Sequence, residues 1–230
     1  MIVVKNEGDS GLGLLESGLT SEFGSAIEQF RNNALALHLL TDTDLVVLLG
    51  SEWSVYWSTV YKEVRAECDL VQSAIQEGIP VLGICYGAQL ISHASGGHVR
   101  RSEMPEIGWA DVCARGERTP VVGRWMQWHY DTFTLPVGFE LLGVNGAGVQ
   151  AIRCGRTLGV QFHPEVDCKI LQTWIDASEV AELEVAGIVP SDLIDETAGE
   201  ISRTADAIPR FIEWFVEEVA QGPVRGRKGH

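Results

Sequence analysis

Short apolar runs alternate with longer amphipathic stretches along the first half of the chain. Met1 to Val4, Ala34 to Leu40, Leu45 to Leu49 and Val81 to Ile84 are brief, apolar and bordered by turn residues, so each predicts a strand. Glu7 to Thr20, with its Gly and Ser residues, reads as a loop and a short helix. Trp57 to Glu77 places Val60, Val64, Cys68, Val71 and Ile75 on one helical stripe, which predicts an amphipathic helix closed by Gly78 ahead of Pro80. From His98 to Phe162 the pattern changes to short strands separated by Gly, Pro and Asn, predicting antiparallel additions at one side of a sheet. After Val166 the period is helical. Val166 to Ala177 and Ser178 to Ala186 read as helices, with Gly187 closing the second. Glu196 to Ala220 keeps helical spacing through Ile201, Ile208, Phe211, Ile212 and Phe215, and Pro209 predicts a break or kink inside it. Strands alternating with helices predict an α/β fold with a mainly parallel central sheet flanked by helices. The expected organisation is a core over residues 1–166, a helical C-terminal extension packed on it over 167–222, and a disordered basic tail over 223–230.

Composition narrows the classes of function. The chain has 230 residues, 45% of them hydrophobic, enough for a sizeable core. A formal net charge of -15 and a pI near 4.7 repel phosphate backbones, which argues against nucleic acid as a partner. No run of about twenty apolar residues exists to span a membrane. Met1 to Asn6 reads as a first strand rather than a signal peptide. The five cysteines are widely spaced with no CxxC pair, which suits a reducing cytoplasm and argues against a disulfide framework or a zinc site. Cys68 reads as a core residue, Cys113, Cys154 and Cys168 as structural, and His38 as a structural residue on a strand face.

The chemistry concentrates in two segments. Pro80-Val81-Leu82-Gly83-Ile84-Cys85-Tyr86-Gly87-Ala88-Gln89-Leu90 has the pattern of a nucleophile elbow with Cys in the place of Ser. Such a turn is strained and needs small flanking residues, here Gly83 and Gly87. It also places the thiol at a helix start, where the partial positive charge favours thiolate. Downstream, Gly159-Val160-Gln161-Phe162-His163-Pro164-Glu165 ends a β-like run on a histidine with an acid two positions later. His163 is the candidate base for Cys85, and Glu165 the candidate group that orients the imidazole.

With Pro105-Glu106-Ile107-Gly108-Trp109, Trp128-His129-Tyr130-Asp131 and Leu135-Pro136-Val137-Gly138-Phe139, these segments resemble the class I, triad-type glutamine amidotransferases, and within them the glutaminase domain of the GMP synthetase branch. The resemblance runs from about Leu45 to Val166. It implies cysteine-dependent hydrolysis of the glutamine side-chain amide through a γ-glutamyl thioester, giving glutamate and ammonia, with no metal or organic cofactor. It implies Cys85, His163 and Glu165 as the triad, and an oxyanion hole from the backbone of Tyr86 and of Gly50-Ser51. The family's Gly-Gly-Pro loop reads Gly50-Ser51-Glu52 here, so its second Gly and its Pro are absent. Gln89, Trp128, His129 and Tyr130 match the positions that hold glutamine, with His163 a better base than His129. Trp53 and Trp57, on an aromatic-rich loop, are the candidate pocket wall; packing at a strand end is the plainer reading of the same residues.

The chain lacks a Walker A loop and has no room for a synthetase domain. The ammonia would then pass to a separate synthetase or ligase subunit. The alternative is a free-standing hydrolase of another γ-glutamyl amide in amine metabolism. A third reading is a non-catalytic interaction protein that kept the fold. The extra C-terminal helices fit either a cover over the sheet or a docking face, and an oligomer is compatible with both.

Overall fold

The computed structural model describes residues 1–222 apart from Ser10, Ala34, 179–182 and 184–185. Nine strands among them form one sheet in the order β2-β1-β3-β4-β9-β8-β7-β5-β6. The first five of that order are β2 (Ile27–Phe30), β1 (Ile2–Lys5), β3 (Val46–Leu48), β4 (Val81–Ile84) and β9 (Thr157–Val160), and they run parallel. The others, β8 (Gly148–Cys154), β7 (Glu140–Asn145), β5 (Val99–Ala114) and β6 (Gly123–Phe133), add antiparallel at one side. The α/β architecture with a mostly parallel sheet and flanking helices is the one the sequence predicts.

Each face of the parallel part is buried, as the continuous apolar runs require. Helices α2 (Tyr61–Glu77) and α3 (Tyr86–Ala94) cover one face, with Val64, Leu70, Val71 and Ala74 packed on Ile2, Val46 and Val81. Helix α1 (Glu16–Phe23), α6 (Ala207–Trp214) and the π-turn Phe215–Ala220 cover the other, where Leu19, Phe211 and Phe215 meet Val3, Val47 and Leu158. Helices α4 (Cys168–Ala177) and α5 (Pro190–Arg203) pack beside β6 through Ile170, Leu171, Leu193 and Met126.

Several expectations need correction. Leu37–Asp42 is a 3₁₀ segment, and His38 is exposed on it; the strand lies earlier, at Ile27–Phe30. That strand is an edge whose Ile27 and Glu28 face solvent, so its sequence shows no apolar face. The antiparallel strands are not all short: β5 spans 16 residues and forms a long ribbon with β6, bulged between Arg101 and Glu106. The last helical run begins at Pro190, not Glu196, with the proline in the first turn, where a missing N–H costs nothing. Its break falls at Thr204–Asp206, ahead of Pro209, which sits in the first turn of α6 for the same reason. Cys113 is exposed on β5 rather than packed. The expected helix from Ser178 to Ala186 and the tail 223–230 fall largely or wholly outside the described residues.

Candidate active site

Strands β3, β4 and β9 are neighbours, and the nucleophile, base, acid and oxyanion-loop candidates leave their C-terminal ends: Gly50-Ser51 after β3, Cys85 after β4, His163 and Glu165 after β9. This edge is where open parallel sheets bind ligands. Cys85 has φ 51 and ψ -107 and caps α3, and it is the one non-glycine residue with positive φ among the described residues. Holding such a conformation costs roughly 1–3 kcal/mol. Close packing on both sides enforces it. A Cβ at Gly83 would lie 2.6 Å from the Gly87 carbonyl, and one at Gly87 would collide with the Leu48 carbonyl oxygen. The Cys85 N–H donates to Val160 O at 2.8 Å, tying the elbow to β9.

His163 is pinned from the β6 side by its N–H to Met126 O at 2.8 Å. Its Nδ1 faces Glu165 Oε1 at 2.7 Å, and its Nε2, though buried, has no hydrogen-bond partner. That leaves Nε2 as the free atom of the ring in the cavity it shares with Cys85. Burial works against charge on the ring, but the Glu165 carboxylate and then Cys85 outweigh it, and the His163 pKa is raised from 6.5 to about 10. Trp174 of α4 closes the outer side of the imidazole, its ring edge-on at 4.6 Å, and meets Trp128 at 5.6 Å. The Sγ of Cys85 lies 3.8 Å from Trp128 O and 3.5 Å from Gln161 Nε2.

The raised pKa fixes a sign. The charged His163 stabilises the fold fully below about 6.5, and the contribution is lost as pH rises through about 10. Urea-unfolding midpoints measured from pH 6.5 to 10 should therefore fall more in the parent than in His163→Gln. Parallel curves would show that the pair does not hold a charge on the ring.

Gly50 and Ser51 take ordinary φ values, so the change from the family's second Gly demands no unusual backbone. Ser51 Oγ accepts Trp53 N–H at 3.1 Å and Asn6 Nδ2 at 2.8 Å, a side-chain turn that fixes the loop without the proline. A Cβ at Gly50 would sit 3.1 Å from His163 Cε1, close enough to press on the imidazole, and in ordinary contact with Cys85 Cβ at 3.8 Å.

A cavity of about 590 Å³ opens over Cys85 and is lined by Gly50, Ser51, Trp53, Trp57, Gln89, Trp128, His129, Tyr130, His163 and Glu165. Eleven of the twelve candidate residues thus meet in one place. Tyr86 is the exception. Its ring turns inward, to Glu67, and only its backbone faces the elbow. Gln89 Nε2 is held by Gln161 Oε1 at 3.2 Å and Asp131 O at 3.4 Å. Both nitrogens of His129 are occupied, Nδ1 by Asp131 O at 3.0 Å and Nε2 by Glu106 Oε2 at 2.8 Å, which leaves it a strut rather than a base. Ser54 and Tyr56 donate to the Asp131 carboxylate at 2.5 and 2.9 Å, joining the aromatic loop to β6. Among the described residues no cluster of three His, Cys, Asp or Glu side chains is arranged to hold a metal ion. No described helix is long and apolar enough to cross a membrane.

Sequence reasoning missed Trp174, Gln161, Asp131 as a loop anchor, and Arg31 with Glu67. Gln161 carried a signal in its place two residues before His163, Asp131 in its motif, and Glu67 in its inward position on an apolar stripe.

Comparison with known proteins follows the same lines. Residues 13–177 match the family Glutamine amidotransferase class-I. GMP synthase [glutamine-hydrolyzing] of Aeropyrum pernix is 34% identical over 169 residues, 68% of this chain and 32% of that protein. The enzyme of the same name from Symbiobacterium thermophilum is 40% identical over 114 residues, 44% of this chain and 22% of that protein. The chain therefore spans about a third or less of these relatives. A glutamine amidotransferase of Thermotoga maritima superposes with a TM-score of 0.80 at 28% identity, covering 94% of this chain and 97% of that one.

Proposed function

This chain belongs to the class I glutamine amidotransferase family, and from that premise we propose that it hydrolyses the side-chain amide of glutamine through a γ-glutamyl thioester on Cys85, releasing ammonia for a separate acceptor enzyme. The observation that carries this reading is the free Nε2 of His163 facing the Cys85 cavity while Nδ1 is held by Glu165 at 2.7 Å. Cys85 Sγ, as thiolate, attacks the amide carbon, and the carbonyl electrons move onto oxygen. Backbone N–H groups of Tyr86 and of Gly50-Ser51 are the donors proposed for that oxyanion. The oxyanion collapses, the C–N bond breaks, and His163 gives its Nε2 proton to the departing ammonia. A water then loses a proton to His163 and attacks the thioester, which releases glutamate and restores the thiolate. Gln89, Trp128, His129 and Tyr130 are the proposed substrate contacts, and no step calls for a metal or organic cofactor. Stoichiometric release of glutamate and ammonia from glutamine by the purified chain tests the proposal; no turnover, alone or with a candidate synthetase, would sink it. The acceptor is proposed to be a synthetase, on the strength of relatives named for glutamine-hydrolysing GMP synthesis.

One observation favours a second reading. The cavity is about 590 Å³ and carries Trp53, Trp57, Trp128 and Trp174, which is more room and more apolar wall than a glutamine side chain fills. A γ-glutamyl amide of a bulky amine would use it. Trp57→Ala should shift the kcat/KM ratio between glutamine and such an amide by about tenfold, or roughly 1.4 kcal/mol. Equal losses on both substrates would make Trp57 packing only.

A further inference from the structure

Behind the Gly50 loop lies a charged pair that the chemistry above does not use. Arg31, just past β2, and Glu67, in the middle of α2, are fully buried and joined from Nε to Oε1 at 2.8 Å. The guanidinium gives its other N–H groups to carbonyls: Leu49 O at 2.5 Å, Gly50 O at 3.0 Å and, more weakly, Val4 O at 3.4 Å. The second carboxylate oxygen of Glu67 accepts the Tyr86 hydroxyl at 2.7 Å, and the guanidinium lies 4.8 Å from the centre of the Tyr86 ring.

Peptide planarity gives this arrangement a direction. The Leu49 carbonyl shares its peptide plane with the Gly50 N–H, and the Gly50 carbonyl shares its plane with the Ser51 N–H. In a trans peptide the two groups point opposite ways. Anchoring both carbonyls on Arg31 therefore turns both N–H groups away from it. Cys85 and His163 are close neighbours of Gly50 outside this anchor. The same pair grips the side chain of Tyr86, whose N–H follows the elbow. Stability is a poor reason for such a pair, because the desolvation of two buried charges offsets their attraction. Burial indeed raises the Glu67 pKa against the pull of Arg31 and the Tyr86 and Arg31 hydrogen bonds.

We propose that Arg31 and Glu67 are positioning residues that fix both walls of the oxyanion hole, the Gly50-Ser51 wall through the Leu49 and Gly50 carbonyls and the elbow wall through Tyr86. This rests on the amide-hydrolysis reading of Cys85. Three variants test it: Arg31→Lys, which keeps the charge but loses the fork, Glu67→Gln, and Tyr86→Phe, which removes one hydroxyl and serves if the others fail to fold. In each, kcat for glutamine should fall, by about tenfold or more in Arg31→Lys, with KM within about threefold. Alkylation of Cys85 by iodoacetamide forms no oxyanion and should stay within about twofold of the parent. Amide exchange of the 49–53 loop should quicken about tenfold while β4 is unchanged. If turnover, alkylation and melting temperature fall together, or if loop exchange does not change, the pair is packing and the proposal is overturned. If the parent releases no ammonia from glutamine yet loop exchange still quickens in Arg31→Lys, the amidase reading fails and the positioning of the loop stands.

Discussion

Cys85→Ala should leave a folded protein that releases ammonia from glutamine at least about 10⁴-fold more slowly than the parent. The variant removes only Sγ, and alanine meets the same strain at φ 51 as cysteine does, so the elbow has no new reason to unfold. Cys85 is the one cysteine among the residues that line the cavity. Cys68 is pushed up to about 11 by burial and by the neighbouring Glu67 and Asp69 charges, which leaves it protonated at neutral pH. Cys113 is exposed, but it lies on β5 beside Val144, away from the His163–Glu165 pair. A glutamine-mimicking electrophile should accordingly label Cys85 first, as peptide mass mapping would show. Residual turnover within about tenfold of the parent, or labelling led by Cys68 or Cys113, would remove Cys85 from the mechanism.

Glu165→Gln should slow turnover by about 10²- to 10⁴-fold, less than loss of His163 does. The change keeps shape and removes charge. In the parent the carboxylate accepts from Nδ1 at 2.7 Å and leads the attractions that hold the ring pKa near 10 against burial. Without that charge only Cys85 is left to oppose burial, so the His163 pKa should drop and less imidazolium is available to protonate ammonia. The pH profiles of kcat and of Cys85 alkylation report both effects. Equal rates for variant and parent would remove Glu165 from the triad.

The elbow and the His-Pro-Glu segment were legible because their meaning is local. A β-run, a cysteine between two glycines and a following helix lie within eleven consecutive residues, and the acid lies two residues from the histidine. The parallel sheet was legible from buried runs such as Val81–Ile84 for the same reason. Edge strand β2 was not, since Ile27-Glu28-Gln29-Phe30 buries only Gln29 fully and shows no alternation, while the more apolar Leu37 to Leu40 became a 3₁₀ turn. Arg31 with Glu67, and Trp174 against His163, were invisible for another reason. Each is an ordinary helix or loop residue until the fold brings it against its partner. In α2, Glu67 occupies an inward position among Val64, Leu70, Val71 and Ala74, and an inward carboxylate in an otherwise apolar stripe was the one local hint of a buried partner.

Glu165, the acid proposed to orient His163, is also held from near the opposite end of the chain. Leu14 N–H donates to Glu165 O at 2.9 Å, and a Cβ at Gly13 would collide with that same carbonyl. Synthesis delivers these parts in a fixed order: first the Gly13-Leu14 clasp, then the thiol, and last the base with its acid. A nascent chain that has just exposed Cys85 thus carries a cysteine without a base. On the proposed chemistry, base and thiol are both in place only when Glu165, made long after Gly13 and Leu14, closes onto them.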